Sequence, residues 1–182
     1  AEDPTSVQRA SEVLGNGGVV AIPAETVYGL AAAVNNPISL NKIFSVKGRP
    51  TTHPLIAHLS SFEQLHEWAI DISDDALTVA SACWPGPLSI LLKKSDELLF
   101  AVTGNRDTAV FRVPANDFTR RLIDATQVPL AAPSANRFGK VSPTTAQHVF
   151  EDLGSDVDLI IDGGPCTIGV ESTIVDFTCN PP

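Results

Sequence analysis

Five short segments gather hydroxyls, amides and cations in patterns that suit ligand binding. Lys47-Gly48-Arg49-Pro50 sets two cations about one glycine, where both charges can meet a phosphate chain. Pro133-Ser134-Ala135-Asn136 follows a short apolar run, and Ser142-Pro143-Thr144-Thr145 opens the next helical pattern. Polar side chains are thereby expected at a strand's carboxyl end beside a helix start, where open α/β sheets bind ligands and free N–H groups suit phosphate. Glu25-Thr26-Val27-Tyr28-Gly29-Leu30 and Gly169-Val170-Glu171-Ser172-Thr173-Ile174-Val175-Asp176 place further hydroxyls at element ends. Each segment also has a plainer reading. A cation at a helix C-terminus favours the macrodipole, Ser142 or Thr144 can cap a helix, Thr26 and Ser172 suit turns, and Tyr28 suits the core. There is no GxxxxGK(S/T) loop, Gly15-Asn16-Gly17-Gly18 precedes a strand instead of following one, and His53 and His58 lack a third metal ligand.

These segments need elements to hold them. Asp3-Pro4 followed by Val7, Ala10 and Leu14 predicts an opening helix with an N-cap and a first-turn proline, closed by Gly15 to Gly18. Strands are predicted over 19–23, 54–59, 88–93, 108–113, 129–132, 159–161 and 173–175, and helices over 37–46, 61–69, 74–83, 117–126 and 144–153. This alternation predicts an α/β fold in a single domain. No helix is expected between 88–93 and 108–113, so the sheet is predicted to be mixed instead of purely parallel.

Composition narrows the partners. The 182 residues are 43% hydrophobic, enough for a buried core, and the net charge of −9 disfavours a general nucleic-acid or membrane surface. All 12 Lys and Arg lie at or before Lys140, so any anion site draws its cations from earlier segments. Cys83, Cys166 and Cys179, an odd number without CxxC spacing, are expected as reduced, buried thiols of a cytoplasmic protein. No leader or membrane span is read, because the apolar stretch 19–34 is interrupted by Pro23, Glu25 and Gly29. The missing methionine and the Cys-Asn-Pro-Pro ending are read as cut ends.

In order along the chain, PAETVYGL, KGRPTTHPLIAH, ACWPGPLS, FRVP, APSANRFGKVSPTTA, IDGG and GVESTIVD resemble the YrdC-like family of threonylcarbamoyl-AMP synthases, over nearly the whole sequence. The resemblance implies a YrdC-like domain over 1–182, a twisted mixed sheet flanked by helices around an open ligand cleft. It implies a nucleotidyltransferase that joins L-threonine, bicarbonate or CO2 and ATP into threonylcarbamoyl-AMP and pyrophosphate, with Mg2+ held mainly by ATP. The product would feed a downstream threonylcarbamoyl-transfer enzyme that modifies tRNA, with tRNA itself only an indirect partner. By position, Lys47, Arg49, His53, Thr108, Ser134, Asn136 and Ser142 resemble the ATP set, with Lys47 and Arg49 catalytic. Thr26, His58, Arg112 and Ser172 resemble the threonine set. No enzyme nucleophile is needed, since the carbamate oxygen attacks the α-phosphorus and the protein supplies position and charge.

The chain departs from the commonest family pattern at Ala24, His53 and Phe138, where Thr, Asn and Ser are frequent. The family also has an arginine after the STIVD strand and, in longer members, a linker and second domain, so an extension past Pro182 is expected. Two alternatives accompany this reading. One is a carbamoyl-adenylate-forming carbamoyltransferase domain of a larger maturation or biosynthetic enzyme; the other is an RNA-binding module without catalysis.

Overall fold

The computed structural model describes Asp3 and residues 5–182. Along the chain run α1 (Ser6–Gly15), β1 (Val20–Ile22), β2 (Gly29–Ala33), α2 (Pro37–Lys47), β3 (Ile56–His58), α3 (Leu65–Trp68), β4 (Ala69–Ile70), α4 (Asp74–Cys83), β5 (Leu88–Lys94), α5 (Phe100–Thr103), β6 (Thr108–Arg112), α6 (Asp117–Thr126), β7 (Leu130–Ala131), α7 (Ala146–Leu153), β8 (Leu159–Ile160) and β9 (Thr173–Asp176). Helices begin where a short polar side chain satisfies free N–H groups: Asn36 for α2, Ser73 for α4, Asn116 for α6 and Thr145 for α7. The opening helix forms, but its N-cap is Thr5 and makes no side-chain cap; Asp3 Oδ1 instead accepts from Thr5 N and Oγ1, each at 2.9 Å. The predicted first-turn proline, Pro4, lies outside the described residues.

The strands form one mixed sheet in the order β4-β5-β6-β3-β7-β2-β1-β8, with β9 pairing β5. β3 with β6, β5 with β9 and β1 with β8 are parallel, and the remaining pairs are antiparallel. Successive residues of β1 and β2 enter opposite cores. Ala21, Leu30 and Ala32 join Leu40, Ile43, Phe44, Val149 and Leu153 of α2 and α7, while Val20, Ile22, Ala31 and Ala33 join Ala10, Leu14, Phe118, Leu122 and Ile123 of α1 and α6. The sheet is thus covered on both faces, and its loops are left to build a site.

Three expectations need correction. The link between β5 and β6 does contain a helix, the single turn α5, although the two strands are antiparallel as expected. That turn ends at Gly104, in the left-handed region at φ 61°, where a Cβ would lie 2.4 Å from Thr52 O. β2 was not predicted at all. Its sequence Gly-Leu-Ala-Ala-Ala is buried at every position, so it has neither polar alternation nor strong strand propensity. The cysteines are unpaired, but Cys83 and Cys179 are exposed and only Cys166 is half-buried. Cys83 is the last residue of α4, outside the face that buries Ala76 and Ala80.

Candidate active site

β3 and β6 run parallel and end together, with His58 opposite Arg112 in register. Paired residues of parallel strands project to the same face, so imidazole and guanidinium leave the carboxyl ends of two neighbouring strands side by side. The loop after β1 brings Thr26, the loop after β7 brings Ser134, and the loop before β9 brings Glu171 and Ser172. With Gly29, Pro133 and Thr119 these line one recess of about 410 Å³, counting its open mouth. Thr26, His58, Arg112, Ser172 and Ser134 therefore share a single cavity.

Arg112 is 3% exposed and three of its donors are held: Nε by Gly86 O at 3.0 Å, Nη1 by Thr26 Oγ1 at 2.9 Å and Nη2 by Glu25 Oε1 at 2.5 Å. Gly86 can present its carbonyl there because it has no side chain; a Cβ would lie 2.3 Å from Cys83 O. Glu25 also accepts from Ala115 N at 3.1 Å. Guanidinium has five N–H groups, so two remain beyond these three bonds. Ser172 Oγ is fixed at 2.7 Å from Ser89 Oγ of β5.

His58 has its Nδ1 3.2 Å from Ile56 O. A carbonyl only accepts, so Nδ1 carries the proton and Nε2 of the neutral ring is an acceptor. Burial, with the Arg112 charge beside it, lowers the His58 pKa to about 3. The unfolded chain titrates near 6.5, so below that pH the unfolded state binds the extra proton, and stability falls as pH drops from 6.5 towards 3. The slope reaches about 1.4 kcal/mol per pH unit. His58→Gln lacks this term, so between pH 7 and pH 5 the wild type is expected to lose about 2 kcal/mol more than the variant in urea unfolding. Parallel losses would show that His58 is not buried as neutral imidazole.

The second group of residues adjoins this recess. α2 ends at Gly48, left-handed at φ 62°, and the turn carries Arg49 N back to Phe44 O at 3.0 Å. Lys47 is 2% exposed, and its Nζ donates to Ser134 O and Asn136 O, which ties the loop after β7 to the end of α2. Burial and the neighbouring Arg49 charge lower the Lys47 pKa to about 8, against the opposing pull of Glu171 and Asp152. Arg49 is half-buried, donates from Nη2 to Pro54 O at 2.8 Å, and lies 5.6 Å from the centroid of the Phe138 ring. Its Nε is buried without a partner, as is Asn136 Oδ1. Ser142 Oγ donates to Glu171 Oε1 at 2.5 Å.

His53 and Thr108 stand apart from this set. His53 is exposed and reaches the group only through Phe138, edge-on with ring centroids 5.2 Å apart. Thr108 begins β6, four residues and about 13 Å from Arg112, and does not line the recess. Sequence reading passed over Glu25 and Glu171 as site residues although both lie in the quoted motifs; no local pattern marks a carboxylate whose partner is 87 or 29 positions away.

The chain has relatives among known proteins. The sequence profile of a family described as "Telomere recombination" (Sua5/YciO/YrdC) matches residues 12–182. The chain is similar to a threonylcarbamoyl-AMP synthase of Pyrococcus abyssi, 46% identical over 176 residues, covering 97% of this chain and 52% of that protein. A threonylcarbamoyl-AMP synthase of Vibrio vulnificus is 30% identical over 161 residues, covering 87% of each chain. The solved structure of P. abyssi Sua5 complexed with L-threonine superposes with a TM-score of 0.95 at 45% identity, covering 97% of this chain and 52% of that one. The chain thus spans about half the length of the P. abyssi relative and most of the V. vulnificus one. With its profile matched from residue 12 to the last residue and its fold superposing on a solved member, the chain belongs to the Sua5/YciO/YrdC family.

Proposed function

We propose that this chain catalyses the joining of L-threonine, bicarbonate or CO2 and ATP into threonylcarbamoyl-AMP with release of pyrophosphate. The observation that carries the reading is the junction of two unlike half-sites. A recess with a guanidinium that keeps two further N–H groups, a neutral imidazole acceptor and hydroxyls opens beside two buried or half-buried cations. In this reading the two remaining Arg112 N–H groups take the threonine carboxylate, and His58 Nε2 accepts from its hydroxyl. Thr26 and Ser172 complete the amino-acid side. Arg49, Lys47, Ser134, Asn136 and Ser142 face the phosphates, with His53 and Thr108 as outlying candidates for the nucleotide. The carbamate oxygen then attacks the α-phosphorus while pyrophosphate departs, and the cations offset the growing negative charge without any covalent enzyme intermediate.

Mg2+ fits as a passenger of the nucleotide. Among the described residues no group of three His, Cys, Asp or Glu could hold a metal, whereas Asn136 Oδ1 is a buried oxygen acceptor lacking a partner. It would accept from a water on an ion whose other ligands are phosphate oxygens and water, and the ion would supply charge neutralisation there. Among the described residues no helix is long and apolar enough to cross a membrane. We read the protein as cytoplasmic, handing its adenylate to a threonylcarbamoyl-transfer enzyme acting on tRNA.

Mass analysis after incubation with ATP, L-threonine and bicarbonate tests the reading. Threonylcarbamoyl-AMP is expected together with stoichiometric pyrophosphate. Pyrophosphate release that needs carbamoyl phosphate and ignores threonine would replace threonine by the carbamoyltransferase alternative. Absence of any adenylate, with salt-sensitive RNA retention on filters, would replace catalysis by RNA binding.

A further prediction concerns pH. Lys47 is half neutral near pH 8 in the free protein, and a bound triphosphate favours its charged form. ATP binding is therefore expected to take up a proton near pH 8 and to be about tenfold weaker at pH 9 than at pH 7. Calorimetric titration in buffers of different ionisation heat reads the proton directly, and a pH-independent affinity would remove Lys47 from the phosphate group.

A further inference from the structure

Glu171 lies where the two half-sites meet. Its Oε1 accepts from Ser142 Oγ at 2.5 Å, it lines the recess with Arg112, Thr26 and His58, and its charge opposes the burial-driven lowering of the pKa at both Lys47 and Arg49. The segment that carries it is pinned on both sides. Ile168 N bonds Glu25 O at 2.8 Å and Gly169 N bonds Thr26 O at 3.0 Å, while Thr173 N bonds Pro87 O at 3.2 Å. Between these anchors Glu171 is exposed, so the side chain can change partners without a change of backbone.

An amino acid enters such a recess as a zwitterion, and its two charges need two counter-charges. Arg112 answers the carboxylate. The nearby carboxylate of Glu25 is already committed to Arg112 Nη2 and Ala115 N. Arg112 and Glu171 are the charged side chains among the described lining residues, His58 being neutral. A phosphate chain brings the opposite requirement: a free carboxylate beside Lys47 and Arg49 repels it, and the Ser142 hydroxyl donor is engaged until Glu171 lets go.

We infer that Glu171 receives the α-ammonium of the amino-acid substrate, and that its move from Ser142 to the ammonium opens the phosphate position, so that amino acid and nucleotide bind synergistically. The inference rests on the amino-acid reading of the recess given above. It adds a residue that discriminates α-amino acids from their hydroxy-acid counterparts, and it gives a reason for the amino acid to favour nucleotide binding. With the ammonium in place, the carboxylate charge is neutralised and Ser142 Oγ is free to donate to a phosphate oxygen.

Isothermal titration of wild type and Glu171→Gln with L-threonine, with its analogue bearing a hydroxyl in place of the ammonium, and with Mg-ATP tests this. Glu171→Gln is expected to bind threonine about tenfold more weakly, the scale of one lost charge pair. The hydroxy analogue is expected to bind both proteins alike. ATP alone should bind the variant several-fold more tightly, and the tightening of ATP by threonine seen in wild type should vanish. Threonine affinity within twofold of wild type, with the synergy intact, overturns the role of Glu171. Wild-type protein that binds ATP but not threonine overturns the amino-acid reading, a different result from the same titrations.

Discussion

Arg49→Ala is expected to lower kcat/KM for ATP-dependent pyrophosphate release about a thousandfold while the protein remains folded. The fold should survive because Arg49 makes few structural contacts. It donates one hydrogen bond to Pro54 O at 2.8 Å and lies against Phe138, and its buried Nε has no partner whose loss would be felt. Removing that set should cost about 1–2 kcal/mol, a shift of a few degrees in Tm for a chain of this size. Catalysis should not survive, because in-line displacement at phosphorus relies on fixed positive charge, and losing one preorganised donor or cation costs roughly 10²–10⁵ in rate. Arg49→Lys should recover little, since one guanidinium arm is fixed on Pro54 while the rest is left to meet phosphate. A melt and a pyrophosphate assay on one preparation decide the matter; a variant keeping a tenth of its activity would remove Arg49 from the chemistry.

Arg112→Ala carries the second large effect, on binding and on stability together. As a member of the proposed threonine set, Arg112 is needed for threonine binding, so its loss should raise the threonine requirement. The structure adds that Arg112 and Glu25 form an ion pair whose side chains are only 4% and 10% exposed. Removing the guanidinium leaves a buried carboxylate without its counter-ion and a vacated carbonyl at Gly86, so a loss of about 3–5 kcal/mol is expected. For this length that is about a 6–20 °C fall in Tm. Arg112→Leu combined with Glu25→Leu separates the two roles, because it removes both charges, leaving Gly86 O and Thr26 Oγ1 without their donor but no buried charge, and Ala115 N, in an exposed residue, to water. The double variant should recover most of the stability and none of the threonine binding. Threonine binding restored along with stability would make Arg112 a structural ion pair and no more.

The helices show what local sequence can specify. α4 and α6 lie at the predicted 74–83 and 117–126 because Ser73 and Asn116 accept N–H groups in their first turns, a signal three residues wide. α3 is far shorter than 61–69, since among those residues only Leu65–Trp68 close a helical turn before β4 pairs with β5. β2 shows the opposite limit. Flanked by β7 and β1 inside the sheet and covered on both faces, it needs small residues, and small residues carry no alternation to read. The candidate site divides in the same way. Its hydroxyls, amides and cations were legible as motifs, but the position of Thr108 at the far end of β6 and the engagement of Arg112 with Glu25 were not.

The α/β alternation, the capped helices and the inventory of groups able to bind phosphate and carboxylate are specified locally, because periodicity and capping act over a few residues. Long-range packing places β3 between β6 and β7, and with it His58 beside Arg112. The same folding decided that Glu25 would balance Arg112 and that Glu171 would lie between the two half-sites. Strand partners are selected by packing of distant faces, and the state of a charge by what burial brings within a few ångströms, so neither is written in any local stretch of chain.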